Sequence, residues 1–174
     1  MSTLDIYQKL YAGDYMFDGL KCAKEAIEIL KGIEYRSLLD VGCGRGHFAE
    51  YIRTTGKVAA GVDPVMTGDM LPHLCFADKC IDVVTCLDVL EHIAEDQATL
   101  CVRELCRIAS IAVIFTICTD SDIHQIDGNL IELHINRSPP GWWQNICAKF
   151  GDFVTTYHPC QEKSRHLFCM TRIQ

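Results

Sequence analysis

The sequence lacks the features of a membrane or secreted protein. No apolar run is long enough to cross a bilayer, and the stretch MSTLDIYQKLYAGDYMFDGL has no basic segment followed by an apolar core. Repeats, low-complexity tracts and linkers are also missing from the sequence. We therefore expect a cytoplasmic protein with no membrane partner. A chain of 174 residues with 49% hydrophobic and 22% charged residues has the length and composition of one globular domain over residues 1–174.

The eleven cysteines include no C-x-x-C pair, which argues against a structural zinc site. Their odd number and the missing secretion signal argue against a disulfide framework. Several, such as Cys86 and Cys118, stand in apolar runs, where a free cysteine packs as a small hydrophobic residue. The net charge of −7 disfavours a broad phosphate-binding surface, so nucleic acid is not the expected partner.

Apolar runs alternate with amphipathic segments along most of the chain. Residues 18–33 predict a helix, within a helical arm over about residues 1–33, that buries Leu20, Ala23, Ala26, Ile27 and Leu30. Continuous apolar runs predict strands at residues 36–41, 57–62, 81–87 and 111–117. Helices are predicted at residues 46–55, 96–109 and 139–151, and the second of these should turn Leu100, Leu105 and Ile108 inward.

This alternation predicts an α/β fold with a parallel sheet that is covered by helices on both faces. The tail, residues 152–173, reads as two strands of an antiparallel hairpin. The segment between Asp63 and Asp82 is too short for a full helix and a strand, so we expect a shortened helix or an irregular loop there.

A glycine-rich turn follows the first predicted strand in the segment SLLDVGCGRGHFAEYI. The spacing is D-x-G-x-G-x-G, from Asp40 through Gly42 and Gly44 to Gly46. Glycines let a backbone approach a ligand closely, and the N–H groups at the start of the following helix are unpaired. A dinucleotide-binding motif would place its last glycine at position 47, which is His47, so the spacing indicates a different nucleotide ligand.

Three motifs in this order resemble the class I S-adenosylmethionine-dependent methyltransferases, specifically the branch called methyltransferase type 11. They are LLDVGCGRGHF, then GVDP, then LCFADKCIDVVTCLDVLEHI, and the resemblance covers roughly residues 37–117. It implies a Rossmann-like, seven-stranded mixed sheet whose last strand is antiparallel. The predicted hairpin in the tail would complete such a sheet.

The resemblance also implies S-adenosyl-L-methionine as the cofactor and assigns residues to it. Asp63, at the end of the second predicted strand, would accept the two ribose hydroxyls. Asp40 would orient the loop and the methionine ammonium group. The remaining cofactor-binding candidates are Gly42, Cys43, Gly44 and Gly46 in the turn, Leu87 at the end of the strand at residues 81–87, and an acid for the adenine amino group. Both Asp69 and Asp78 compete for that last role, and Asp69 in GDML is preferred.

The acceptor side is harder to find by motif, because methyl transfer from a sulfonium requires proximity, orientation and only sometimes a base. We expect His92 and His134 to take the acceptor's proton or to hold its hydroxyl, because a neutral imidazole is available near neutral pH. Trp142 and Trp143 could line the acceptor pocket, or simply pack the last helix onto the sheet. Tyr7, Tyr11 and Tyr15, spaced four residues apart, could cover the site or form an ordinary packed helix face.

A metal is not expected. The stretch DVLEH is similar to the E-x-x-E-H stretch that holds a divalent ion in related ubiquinone-pathway O-methyltransferases and small-RNA 3′-end methyltransferases. Here Asp88 replaces the first glutamate, and Glu91 and His92 lack a fourth ligand that the sequence can identify. If a metal did bind, oxygen ligands would favour magnesium.

The leading hypothesis is therefore a methyltransferase that acts on an oxygen or nitrogen of a small molecule. One alternative is modification of a nucleotide or an RNA end. Another is a partner subunit that binds the cofactor without catalysis.

Overall fold

A mixed sheet forms the centre of the computed structural model, which describes residues 3–13 and 23–173. The strands are β1 (Ser37–Val41), β2 (Val58–Val62), β3 (Ile81–Leu87), β4 (Ala109–Cys118), β5 (Ile123–Ile126), β6 (Asn129–Glu132), β7 (Phe153–Pro159) and β8 (Arg165–Arg172). Six of them form one sheet in the order β2-β1-β3-β4-β8-β7, and β5 and β6 form a separate hairpin. Strands β1 to β4 pair in parallel, whereas β8 runs antiparallel to both β4 and β7. The predicted antiparallel last strand is confirmed.

Helices cover both faces of the sheet, as the sequence predicted. The described helices are α1 (Thr3–Ala12), α2 (Lys24–Leu30), α3 (His47–Thr54), α4 (Glu95–Ile108) and α5 (Pro140–Cys147), with a 3-10 turn at Leu90–His92. Alternate strand residues belong to opposite cores. Leu38 packs in a cluster with residues of α2 and α3, and Leu39 packs in the cluster that contains residues of α4 and α5. Within the described residues, no helix has the length and apolar character needed to span a membrane.

The expectation of seven strands is wrong, because the described residues place six in the main sheet. Residues 64–80, between β2 and β3, form turns and one isolated bridge between Met70 and His73. Pro64, Gly68 and Pro72 interrupt this segment, and proline and glycine disfavour a regular ladder. The irregular segment that the sequence predicted here is therefore confirmed.

The segment is held in place by Arg107 on α4. The guanidinium donates hydrogen bonds to the carbonyl oxygens of Leu74 and Phe76, at 3.3 and 2.7 Å, and pairs with Asp78 and Glu104. Side-chain hydrogen bonds to the backbone thus replace the strand pairing that the segment does not make.

Three further details correct or extend the predicted elements. Leu100 is 41% exposed, because the buried stripe of α4 consists of Ala98, Cys101, Val102, Leu105 and Ile108. The β5–β6 hairpin was not predicted. Ala23, Ala26 and Leu30 are buried as expected, while Leu20 and Tyr15 lie outside the described residues.

Candidate functional site

The turn between β1 and α3 requires glycine. Gly42, Gly44 and Gly46 have φ angles of +75°, +53° and +83°, in the left-handed region that side chains rarely adopt. At Gly42 a Cβ atom would also lie 2.3 Å from Cγ2 of Val89, so a side chain there would collide with the loop after β3. The turn therefore keeps its backbone bare and leads directly into α3, which begins at His47.

Asp63, immediately after β2, connects this turn to two other parts of the chain. Its Oδ2 accepts hydrogen bonds from the N–H of Gly44 at 3.2 Å and from the hydroxyl of Tyr11 at 3.3 Å. Its Oδ1 accepts from the N–H groups of Val65 and Met66, at 2.9 and 3.3 Å. Asp63 is 5% exposed, so its carboxylate is a buried hydrogen-bond acceptor. Four donors fix its position.

Asp40 lies below the turn on β1. Its Oδ1 accepts a hydrogen bond of 2.8 Å from the Thr85 hydroxyl on β3. Burial raises the pKa of Asp40 to about 7, the hydrogen bond from Thr85 opposes that shift, and the nearby Asp63 carboxylate adds to it. Asp40 does not line the cavity described next, so its contribution there is to support the turn.

A cavity of about 340 Å³ opens beside the turn. Four of the proposed cofactor-binding residues line it, namely Gly42, Gly44, Asp63 and Asp69, and so does His92 from the acceptor side. Helix α1 contributes Leu4, Tyr7 and Tyr11 to the same cavity. Most of the other lining side chains are apolar, and they include Val41, Pro64, Val65, Met70, Leu71, Val89, Ile93 and Ile135.

Besides Asp40, three predicted cofactor contacts are not among the lining residues. Leu87 belongs to the core cluster on the α2 and α3 side of the sheet, and Val89, two residues further on, lines the cavity instead. The Cys43 side chain packs against β2, where a Cβ on Gly61 would lie 2.6 Å from its Sγ. Gly46 precedes α3, where an added Cβ would meet nothing within 4 Å. The prediction for Leu87 is corrected on this basis, since strand alternation turned its side chain to the other face.

The choice between the two candidate acids for adenine has a structural basis. Asp69 lines the cavity and accepts a hydrogen bond of 2.9 Å from the Thr67 hydroxyl. Asp78 is bound by Arg107 at 2.7 Å and is not a lining residue. Asp69 therefore remains the candidate.

The two histidines proposed for the acceptor side lie together, with ring centroids 4.7 Å apart. Only His92 lines the cavity, so His134 stands behind it. Burial and the neighbouring His134 lower the pKa of His92 to about 4, although its hydrogen-bond partner, the Leu133 carbonyl at 3.0 Å, opposes the shift. His92 is consequently a neutral imidazole at physiological pH.

The tryptophans do not line the cavity. Trp143 is fully buried and packs near Phe115 of β4, and Trp142 packs against the same core cluster. Both therefore hold α5 on the sheet, which is the structural role that the sequence left open.

Two acidic residues were not assigned a role from the sequence. Asp88, with a φ of +53°, is bound by Arg165 at 2.7 Å and by the Thr116 hydroxyl at 2.6 Å. Glu91 is fully buried, and its carboxylate lies next to His92 and His134. Asp88 is thus engaged in an ion pair, and Glu91, His92 and His134 are the described residues that could together hold a metal ion.

A family model described as a methyltransferase domain matches residues 15–154. The chain belongs to this family. The fold agrees with two solved structures at 15% identity. One is an S-adenosylmethionine-dependent methyltransferase from Archaeoglobus fulgidus, with a TM-score of 0.65 over 98% of this chain and 100% of that one. The other is magnesium protoporphyrin IX methyltransferase from Synechocystis PCC 6803 with bound S-adenosylhomocysteine, with a TM-score of 0.63 over 98% and 95% of the two chains.

A ubiquinone biosynthesis O-methyltransferase from Vibrio atlanticus is 29% identical to this chain over 42% of its length. The match spans 40% of the length of that relative. The predicted class I S-adenosylmethionine-dependent methyltransferase, with S-adenosylmethionine as its cofactor, is confirmed at the level of the family. The bare turn and the buried Asp63 carboxylate fit this cofactor, since they offer close backbone and a charged acceptor for a diol.

The turn generates a prediction about cofactor affinity. Gly44→Val should abolish binding of S-adenosylhomocysteine for two reasons. Gly44 lines the cavity, so a valine side chain there would occupy ligand space, and its φ of +53° disfavours any side chain. Gly128→Val is the matched control, since Gly128 has a similar φ of +80° in the β5–β6 hairpin, where an added Cβ meets nothing within 4 Å. Calorimetric titration of both folded variants is the measurement. Equal affinities in the two variants would contradict this account of the turn.

Asp40 generates a prediction about pH. Its pKa of about 7 lies above the unfolded value of about 3.9. Between about pH 4 and pH 7 the folded state therefore holds a proton that the unfolded state has released. The Asp40 contribution to the free energy of unfolding should therefore be full below pH 4 and should fall as pH rises towards 7. Asp40→Asn should flatten this fall, by on the order of 2 kcal/mol between pH 5 and 8.

Urea unfolding of Asp40→Asn and the parent chain at both pH values tests this prediction. Asp96→Asn, which changes an exposed carboxylate on α4, is the control. A parent chain and an Asp40→Asn variant that show the same pH dependence would contradict it.

Proposed function

We propose that this domain transfers a methyl group from S-adenosylmethionine to an oxygen, or alternatively a nitrogen, of a small molecule. The observation that carries the proposal is one cavity lined by Gly44, Asp63 and His92. Gly44 and Asp63 are suited to the cofactor, and His92 offers a neutral nitrogen to an acceptor in the same space.

Each group then has a defined task. When bound, S-adenosylmethionine supplies a methyl group already activated on a sulfonium. Asp63 binds the ribose hydroxyls, Asp69 binds the adenine amino group, and the apolar side chains of Val65 and Leu71 flank the base. Asp40 and the glycine turn fix the position of the methionine portion.

On the acceptor side, His92 takes the proton of the acceptor or holds its hydroxyl in line with the methyl group. His134, 4.7 Å away between ring centroids, positions the His92 ring. Tyr7 also meets the His92 ring edge-on, with centroids 5.7 Å apart, so two aromatic groups contact that ring. Proximity and orientation supply much of the rate in such a displacement.

A small acceptor is favoured over nucleic acid for two reasons. The net charge of −7 opposes a phosphate backbone, and the cavity lining is largely apolar. The Vibrio atlanticus relative, named as an O-methyltransferase of ubiquinone biosynthesis, supports an oxygen acceptor.

The function is tested with S-adenosylmethionine that carries a labelled methyl group. Purified protein is incubated in parallel with a small-molecule extract and with an RNA fraction. Label in a small molecule is expected. Label in RNA would favour the nucleic-acid alternative, and tight cofactor binding without any transfer would favour a non-catalytic partner subunit.

The assay also yields a prediction for His92. His92→Gln should lower turnover by about 10²–10⁴-fold while the affinity for S-adenosylhomocysteine stays within about twofold, because a group on the acceptor side is lost. His158→Gln, at an exposed position on β7, is the matched control and should retain turnover. Full turnover in His92→Gln would refute the assignment.

A further inference from the structure

The hydroxyl of Tyr11 lies against the two groups that the proposed function gives to the cofactor. It donates a hydrogen bond of 3.3 Å to Oδ2 of Asp63, the carboxylate assigned to the ribose hydroxyls. A Cβ atom added to Gly44 would lie 3.4 Å from the same hydroxyl oxygen, so Tyr11 also takes up space beside the bare turn. All three residues line the cavity. The hydroxyl of Tyr11 therefore lies where a ligand of Asp63 and the glycine turn would lie.

The Asp63 carboxylate has no acceptor position left for a further donor. An ionised carboxylate offers about four lone-pair positions. Its Oδ2 accepts from the N–H of Gly44 and from the hydroxyl of Tyr11. Its Oδ1 accepts from the N–H groups of Val65 and Met66. A ribose diol brings two more donors, so at least one of the present donors has to leave before the diol can bind.

Tyr11 is the donor that can leave at the lowest cost. The other three donors are backbone N–H groups, and moving any of them would rearrange the glycine turn or the chain directly after β2. The Tyr11 donor is a side-chain hydroxyl, which moves by rotation about side-chain bonds. Its bond of 3.3 Å is also longer than the usual range for two oxygen atoms. Loss of this bond releases Asp63 and leaves the turn intact.

The helix that carries Tyr11 packs at the surface of the protein. Helix α1 has ten residues, a length at which an isolated helix is marginal in water. Residues 4–12 are all partly or fully exposed. Its polar contacts include the ion pair of Lys9 with Asp127 and a hydrogen bond of 3.2 Å from Arg45 to the carbonyl oxygen of Tyr11, both at exposed positions. A segment with few buried side chains can shift locally at low cost.

We propose that Tyr11 competes with the cofactor for Asp63, so that a ribose hydroxyl binds only by replacing the tyrosine hydroxyl. This inference rests on the proposed function, which assigns the ribose to Asp63. The Tyr11 bond keeps the buried carboxylate satisfied until a diol takes its place, because a buried charge that lacks hydrogen bonds is costly. The ribose then contributes only the difference between two hydrogen bonds, so Tyr11 lowers the affinity for the cofactor.

The test is calorimetric titration of the full chain with S-adenosylhomocysteine and with its dideoxy analogue, which lacks both ribose hydroxyls. Tyr11→Phe keeps the aromatic ring and removes the competing hydroxyl. It should bind S-adenosylhomocysteine about 3–10-fold more tightly than the parent does, because binding no longer breaks a hydrogen bond. The dideoxy analogue brings no ribose donor for Asp63, so its affinity should stay within about twofold of the parent value.

Tyr157→Phe serves as the control, because it also removes a tyrosine hydroxyl. That hydroxyl lies 2.9 Å from Nδ1 of His166, and Tyr157 is not among the residues that line the cavity. The control variant should bind both ligands as the parent does. A gain in affinity that is confined to Tyr11→Phe therefore reports the contact with Asp63 and not the general loss of a hydroxyl.

Two results would overturn the proposal. One is an unchanged or weaker affinity of Tyr11→Phe for S-adenosylhomocysteine, which would make Tyr11 a spectator or a cofactor ligand. The other is an equal gain for both ligands, which would mean that the hydroxyl only fills space. Cofactor binding and methyl transfer by the parent are measured separately, so either result leaves the proposed function intact.

Discussion

The site depends on the buried carboxylate of Asp63. It joins the N–H of Gly44 in the first turn, the N–H groups of Val65 and Met66 after β2, and the Tyr11 hydroxyl on α1. Four donors on two oxygens offset the cost of burying the charge and fix three separate parts of the chain around one cavity. The carboxylate that would accept hydrogen bonds from a ribose diol is therefore already in position before a ligand binds.

The local parts of the fold could be predicted because their signals are local. The strand at residues 81–87 was predicted with the bounds it has in the structure, since a continuous apolar run marks a strand buried on both faces. The glycines of the first turn were identified by spacing, and their positive φ angles explain it. Periodicity correctly turned Leu105 and Ile108 of α4 into the core, but it also turned Leu100 inward, which is exposed in the structure.

What the sequence could not give are contacts between distant segments. His134 meets His92 and Glu91 only because the chain around Leu133 packs against the 3-10 turn after β3, and no spacing rule encodes that contact. Leu87 was assigned to the cofactor from a motif, whereas strand alternation sends its side chain to the opposite core. The seventh strand was inferred from resemblance and is replaced here by a loop that Arg107 holds through its hydrogen bonds.

The central claim is that Asp63 and the glycine turn bind S-adenosylmethionine with the reactive end towards His92. A crystal structure with S-adenosylhomocysteine tests it most directly. The account predicts ribose hydroxyls within hydrogen-bonding distance of Asp63 and the sulfur atom facing the His92 ring. A ligand outside this cavity, or a sulfur atom that points away from His92 with no route through water, would contradict it.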